Sequence, residues 1–292
     1  MPEGLPQGYY HRNFSYLLEF VAERYHAILN AEELSFLDDF QHLSLPAQRL
    51  YVRLYSRKGP LFRADKLSYE DIPDITEAVQ ELITSDFLDQ GQDCESEQVL
   101  SLLMKDELML LAGRPCKGMQ KHEILVLVAE SITPKALMDV ISFEVLRLCR
   151  LNTLKAYRLL FFGNLHQGMT DFVLHELGVT PFESYKVDAH AQCFSNRQAL
   201  DDALTLYDLR EQASIAIENN DEVALLSMKT LFPSRNSDFP GLGFRYDRLI
   251  NHIARQLERQ GCLDDAVLLY RQSKSPLARE RIARILVKQE AK

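Results

Sequence analysis

The chain has 292 residues, of which 46% are hydrophobic and 26% charged, and its formal net charge is −9 at pH 7. This length suits two or three domains, and the balance is globular, which excludes wholesale disorder. The acidity excludes a histone-like protein that coats nucleic acid, so any contact with phosphates has to be local.

Twelve Gly and eleven Pro are few for this length, and Leu, Glu, Arg and Ala are plentiful, so helices are expected over β-architecture. The five cysteines, Cys94, Cys116, Cys149, Cys193 and Cys262, are scattered, odd in number and never spaced C-x-x-C. They read as reduced thiols of an intracellular protein. No segment approaches the roughly 20 apolar residues of a bilayer span. The start, MPEGLPQGYYHRNF, lacks the basic and apolar regions of a secretory signal. The expected compartment is the cytoplasm, with no membrane partner.

Residues 1–12 read as a loose leader. From there Phe14, Leu17, Leu18, Val21, Tyr25 and Ile28 follow the spacing of an amphipathic helix. A second helix is expected over Ala31–His42, with Leu34, Leu37 and Phe40 inward. Ser44 is a good N-cap, and Pro46 sits in the first turn, where its missing N–H costs nothing. That helix is expected to run to about Arg57, where Lys58-Gly59-Pro60 stops it. LFRADKL predicts a short strand, and Pro73-Asp74 opens a helix to about Phe87. This order of elements predicts a helix-turn-helix or winged-helix-like unit over residues 1–90.

Two helices are expected at about Gln98–Ala112 and Met119–Ser131, joined by the tight basic turn Gly113-Arg114-Pro115-Cys116-Lys117-Gly118. Their size and pattern predict a SAP-like two-helix module over residues 91–135. Pro134 opens a helical run to about Phe162, within a helical connector over 136–196. From residue 197 to 292 the pattern is of helix pairs. ARQLERQGCLDDAVLLYRQSKSP is like a tetratricopeptide (TPR) unit, with a turn at Gly261, small Ala266 and then Pro276.

Charge singles out one segment. Ala47–Lys66 carries Arg49, Arg53, Arg57, Lys58, Arg63 and Lys66 against the single acid Asp65. On a helix, Arg49, Arg53 and Arg57 form one stripe while Leu50 and Leu54 turn inward. Several guanidinium forks at helical spacing can track a phosphate backbone; the plain alternative is a solvated helix face. The next helix carries Asp74, Glu77, Glu81 and Asp86 and no Lys or Arg. In a conventional helix-turn-helix protein that later helix enters the major groove. Contact with DNA is therefore expected through the earlier helix and strand, as a backbone grip without base reading. Arg114, Lys117 and Lys121, at the start of a helix, form a second basic cluster suited to phosphate.

Catalytic patterns are missing: there is no phosphate-cradling glycine loop, no H-E-x-x-H and no His set at metal-ligand spacing. Acidic pairs such as Asp38-Asp39 and Asp264-Asp265 are adjacent on helices and point about 100° apart, so they do not share a metal.

The chain resembles the bacterial relatives of the Fanconi anaemia-associated nuclease. The resemblance rests on YYHRNFSYLLEFVAERYHAIL, LPAQRLYVRLYSRKGPLFRADKLSY, FFGNLHQGMTDFVLHELGV and IARQLERQGCLDDAVLLYRQSKSPLARERIARIL. It implies a structure-selective, metal-dependent DNA nuclease of the phosphodiesterase I type, acting on 5′-flap and branched DNA in interstrand-crosslink repair. It places the first basic cluster in a helix-turn-helix-like module and the second in a SAP-like one, both gripping duplex. It also implies that the catalytic VRR-NUC domain, with its carboxylate and Glu-x-Lys metal site, is missing from a truncated chain. On that reading this chain has no catalytic residues, no metal site and no cofactor of its own, Mg or Mn belonging to the missing domain. It would be cytoplasmic and nucleoid-associated when bound to DNA, with a possible protein partner on the helical repeats. The alternative is a helical-repeat interaction scaffold with no DNA role.

Overall fold

The computed structural model describes residues 8–57, 59–113, 116, 118–168, 192–232 and 241–290. They are mainly helical. In chain order they form α1 (Tyr9–Tyr25), α2 (Ala31–His42), α3 (Leu45–Tyr55), β1 (Leu61–Arg63), α4 (Ile75–Thr84), β2 (Leu88–Asp89) and α5 (Ser96–Leu102). There follow α6 (Lys105–Ala112), α7 (Lys121–Ala129), α8 (Pro134–Val140), β3 (Val145–Leu148) and α9 (Leu151–Phe162). The last are α10 (Arg197–Glu218), α11 (Glu222–Ser227), α12 (Leu242–Gln260), α13 (Leu263–Gln272) and α14 (Pro276–Glu290). Two compact units result. One is built on Ala31–Leu154 with the described residues up to Glu19, the other on Phe20–Asn30, Lys155–His166 and the described residues from Gln192 onward.

In the first unit, α1 starts earlier than the apolar spacing predicts. Tyr10 lies one turn ahead of Phe14 and is buried with it, so Tyr9–Arg12 are helix and not leader. α2 has the expected bounds, but Phe36 and Phe40 face the core while Leu34 and Leu37 are half-buried. α3 opens as its cap predicts: the Ser44 Oγ accepts the Ala47 N–H at 3.4 Å. Leu50, Tyr51, Val52 and Leu54 are fully buried. Tyr51 meets Phe36, Phe40 and Phe87 in one aromatic cluster, edge-on to Phe87 at 4.9 Å, and its hydroxyl donates to the Cys149 carbonyl at 3.0 Å.

The three strands form one antiparallel sheet in the order β1-β3-β2, with Phe62 opposite Leu146 and Leu88 opposite Leu148. This corrects the expected helical run from Pro134 to Phe162. Thr133 caps α8, which ends at Val140, and VLRL then becomes the central strand. The reason is non-local. β1 and β2 each present an edge with unpaired N–H and C=O groups, and β3 satisfies both. The segment 136–154, taken from sequence as connector, thus belongs to the first unit. The expected helix Gln98–Ala112 is likewise two helices, broken where Leu103 and Met104 are extended. The Glu107 carboxylate accepts the Met104 N–H at 2.6 Å and caps α6.

The second unit pairs α12 with α13 through Gly261, whose φ of +93° ends α12. α12 buries Leu249, Ile250, Ile253 and Leu257, and α13 buries Ala266, Leu269 and Tyr270. The Glu258 carboxylate accepts from Tyr270 at 3.2 Å and from Arg281 at 3.0 Å, tying α14 to the pair. No helix among the described residues is long and apolar enough to cross a membrane, and none of the five cysteines is in a disulfide.

Gly91 shows how closely the first unit is packed. Its φ is +58°, and a Cβ there would lie 2.9 Å from Cγ1 of Val145 in β3. Gly113 has a similar φ of +60° but open surroundings. Gly91→Ala is expected to lower the unfolding free energy by about 2 kcal/mol or more, and Gly113→Ala by only about 1. Urea titration of the two variants checks the order; equal losses would contradict the packing described for β3.

Candidate nucleic-acid interface

The apolar face of α3 is committed to the core, so its opposite face carries Arg49 and Arg53 outward. α3 ends at Tyr55, and Arg57 lies in the turn beyond it. The structure nevertheless brings the three arginines together, around Asp71 and Tyr69. Arg49 donates to the Asp71 carbonyl at 3.0 Å. Arg53 donates to the Asp71 carboxylate at 3.1 Å, with its guanidinium 4.1 Å from the Tyr10 ring centre and 5.2 Å from that of Tyr69. Arg57 donates to the Tyr69 hydroxyl at 3.2 Å and lies 5.3 Å from the Phe62 ring centre.

Asp71 organises this face. Its buried carboxylate accepts from the Tyr10 hydroxyl as well as from Arg53. Burial pushes the Asp71 carboxyl up, but those two partners outweigh it and hold it below the usual carboxylate value. The Tyr10 phenol is pushed up to about 12 by burial and by its bond to Asp71. Arg49 and Arg57 have neutral partners here, a carbonyl and a hydroxyl, so their charges stay uncompensated by these bonds. Guanidinium planes laid on aromatic faces lose little freedom on meeting a second ligand. The roles of Tyr10, Tyr69 and Asp71 escape a reading by charge alone; the aromatics interleaved with arginines were the available signal.

The other candidates divide. Arg63 is only 8% exposed. It grips Asp65 with two bonds of 2.9 Å and Glu107 with one of 2.6 Å, and it lies 3.8 Å from the Phe143 ring centre. Its donors are spent tying β1 to α6. Lys66 is exposed at 59%, 3.9 Å from Asp65, at the end of the 3-10 turn Ala64–Lys66. Lys121 opens α7 and donates to the Ser101 carbonyl at 2.9 Å, still exposed. Lys58, Arg114 and Lys117 lie outside the described residues.

The acids of α4 have local work. Asp74 caps its own helix through the Glu77 N–H at 2.9 Å. The Glu81 carboxylate accepts from the Ser44 N–H at 2.6 Å and the Ser44 hydroxyl at 2.5 Å, which ties α4 to the start of α3.

A helix-turn-helix unit completed by a small antiparallel sheet, with an arginine face on the earlier helix, is the class of protein this half of the chain defines. Residues 8–89 match the family model described as FAN1, HTH domain. The chain is similar to the Fanconi-associated nuclease 1 homolog of Pseudomonas aeruginosa, 32% identical over 98% of this chain and 51% of that protein. The homolog of Arabidopsis thaliana is 27% identical over 78% of this chain and 28% of its own. A crystal structure of paFAN1 bound to 2-nucleotide 5′-flap DNA with a gap superposes with a TM-score of 0.86 at 32% identity, over 99% of this chain and 53% of that one. The chain belongs to the Fanconi-associated nuclease 1 family, and it spans about half the length of the Pseudomonas relative.

The Arg63 pairings hold the Asp65 and Glu107 carboxyls below their usual values through hydrogen bonds and charge. A depressed carboxyl contributes stability above its unfolded pKa and loses it as pH falls through the folded one. The first unit is therefore expected to lose stability as pH drops below the usual carboxylate values of about 4. Arg63→Ala should cost about 2 kcal/mol at pH 7, between an exposed and a buried pair, and should flatten that acid limb. Melting temperatures of the two proteins from pH 7 to pH 3 check it; parallel curves would exclude the tie.

Proposed function

We propose that this chain supplies the DNA grip of a structure-specific nuclease acting on branched or 5′-flap DNA in interstrand-crosslink repair. The observation that carries this reading is the convergence of Arg49, Arg53 and Arg57 on one aromatic-backed face around Asp71 and Tyr69. Support comes from the names of the relatives and from the paFAN1 structures, whose bound DNA is a 5′ flap with a gap. The contact is with phosphates, Lys66 extending the face and Arg63 holding the frame. α4, with its carboxylates, stays out of the groove. α6 and α7 act as the SAP-like second grip, through Lys121 with Arg114 and Lys117. The helices from α10 onward form the TPR-like region and are open to a protein partner.

Cleavage is assigned to none of the described residues. Among them no three His, Cys, Asp or Glu side chains converge to hold a metal. The protein works in the bacterial cytoplasm, at the nucleoid when bound.

Fluorescence anisotropy with a labelled 5′ flap tests the reading. Arg49→Glu/Arg53→Glu/Arg57→Glu is expected to weaken binding at least tenfold and to lower the slope of log K against log salt by about 2–3. Arg63→Ala should leave that slope unchanged. No binding at low salt, or a slope indifferent to the three arginines, would overturn the proposal.

A further inference from the structure

Of the three arginines on the α3 face, Arg53 alone has a carboxylate partner among the described residues. That partner, Asp71, sits in the turn Tyr69–Ile72, which the Ile72 N–H closes on the Tyr69 carbonyl at 3.1 Å. The buried Ile72 side chain anchors the turn in the core. The Asp71 side chain is only 6% exposed. Its Oδ2 accepts the Tyr10 hydroxyl, and its Oδ1 accepts Nη2 of Arg53 at 3.1 Å. The carbonyl of the same residue accepts from Arg49. Two successive arginines of the stripe thus end on one buried residue.

By charge alone this is the wrong place for an acid. A carboxylate beside a cation cancels charge that would otherwise attract DNA and release its counterions. The pairing is, however, far from a closed one. Arg63 spends Nε, Nη1 and Nη2 on its two carboxylates and is almost sealed. Arg53 meets Asp71 through Nη2 alone, and its side chain stays 39% exposed. The Tyr10 ring supports the guanidinium at 4.1 Å. With Oδ2 committed to the Tyr10 hydroxyl, Oδ1 stays directed at Arg53. A free arginine on a helix surface samples many rotamers, and ordering it on a ligand costs entropy. Arg53 is ordered before any ligand arrives.

We propose that Asp71 and Tyr10 are positioning residues of the α3 grip: the carboxylate orients Arg53 for a DNA phosphate, and the Tyr10 hydroxyl orients the carboxylate. The acid therefore strengthens DNA binding, although it carries the same sign of charge as the ligand. Both residues are buried, so they act through Arg53 and not by contact with the phosphate. The inference rests on the reading of α3 as the DNA grip and adds to it two residues that a count of charges would score as neutral or harmful.

The test uses the full chain and a labelled 5′ flap at about 50 and about 200 mM salt. Asp71→Asn keeps the shape of the side chain and the carbonyl that Arg49 uses, and removes the charge. It is expected to weaken binding about three- to fivefold and to lower the salt slope by about 1, the share of one phosphate contact. A mere gain of positive charge would move both quantities the other way. Arg53→Gln is expected to give a similar loss, and Asp71→Asn added to it no further loss, because nothing is left to position. Tyr10→Phe keeps the ring and is expected to weaken binding about twofold, again only while Arg53 is present. It carries the test alone if Asp71→Asn unfolds. Unchanged or tighter binding by the variant used, or an equal loss in the Arg53→Gln background, would overturn the positioning role. The grip itself would still stand if Arg49→Glu/Arg53→Glu/Arg57→Glu loses binding. If that variant binds like the unaltered chain, or the unaltered chain fails to bind, the grip falls and the positioning role with it.

Discussion

The placement of α3 rests on Tyr51. Its ring is fully buried in a cluster with Phe36, Phe40 and Phe87. Its hydroxyl reaches the Cys149 carbonyl just beyond β3. Burying a phenol without an acceptor would cost on the order of 1–3 kcal/mol, so the ring and the end of the central strand specify each other. With Leu50, Tyr51 and Leu54 held inward, the geometry of the helix leaves Arg49 and Arg53 nowhere to go but outward. The hydrophobic core thereby aims the cationic face.

Carboxylates complete that aim. The chain is acidic overall, yet around the stripe its acids serve as tethers. Asp71 gathers Tyr10, Arg49 and Arg53, and Glu81 binds the cap of α3. Asp65 and Glu107 consume Arg63. The difference among these arginines lies in what they are paired with. A guanidinium between two carboxylates is a structural rivet. One held by a carbonyl or a phenol keeps its charge available and has its geometry fixed beforehand, which lowers the entropy cost of meeting a phosphate.

Much of this was open to reading along the chain. Ser44 and Pro46 announce α3, Gly261 announces the turn after α12, and the spacing of Arg49 and Arg53 puts them on one face. Those signals are local, since caps, left-handed turns and helical periodicity involve residues a few positions apart. What failed was non-local. VLRL reads as part of a helix until β1 and β2 are present to pair with it. The break at Leu103-Met104 has neither Gly nor Pro to mark it, and is stabilised by Glu107, itself shared with Arg63 forty-four residues away.

By itself, then, the amino-acid order determined a mainly helical protein, where most of its helices begin and end, and which segments concentrate positive charge. Only the tertiary structure decided which of those charges remain usable. Whether an arginine ends as a rivet or as a contact depends on which carboxylate, carbonyl or ring the fold brings within hydrogen-bonding distance, and those partners are far apart in the chain. Arg63 and Arg57 are six residues apart in sequence; one is sealed between Asp65 and Glu107, and the other stands exposed on Tyr69.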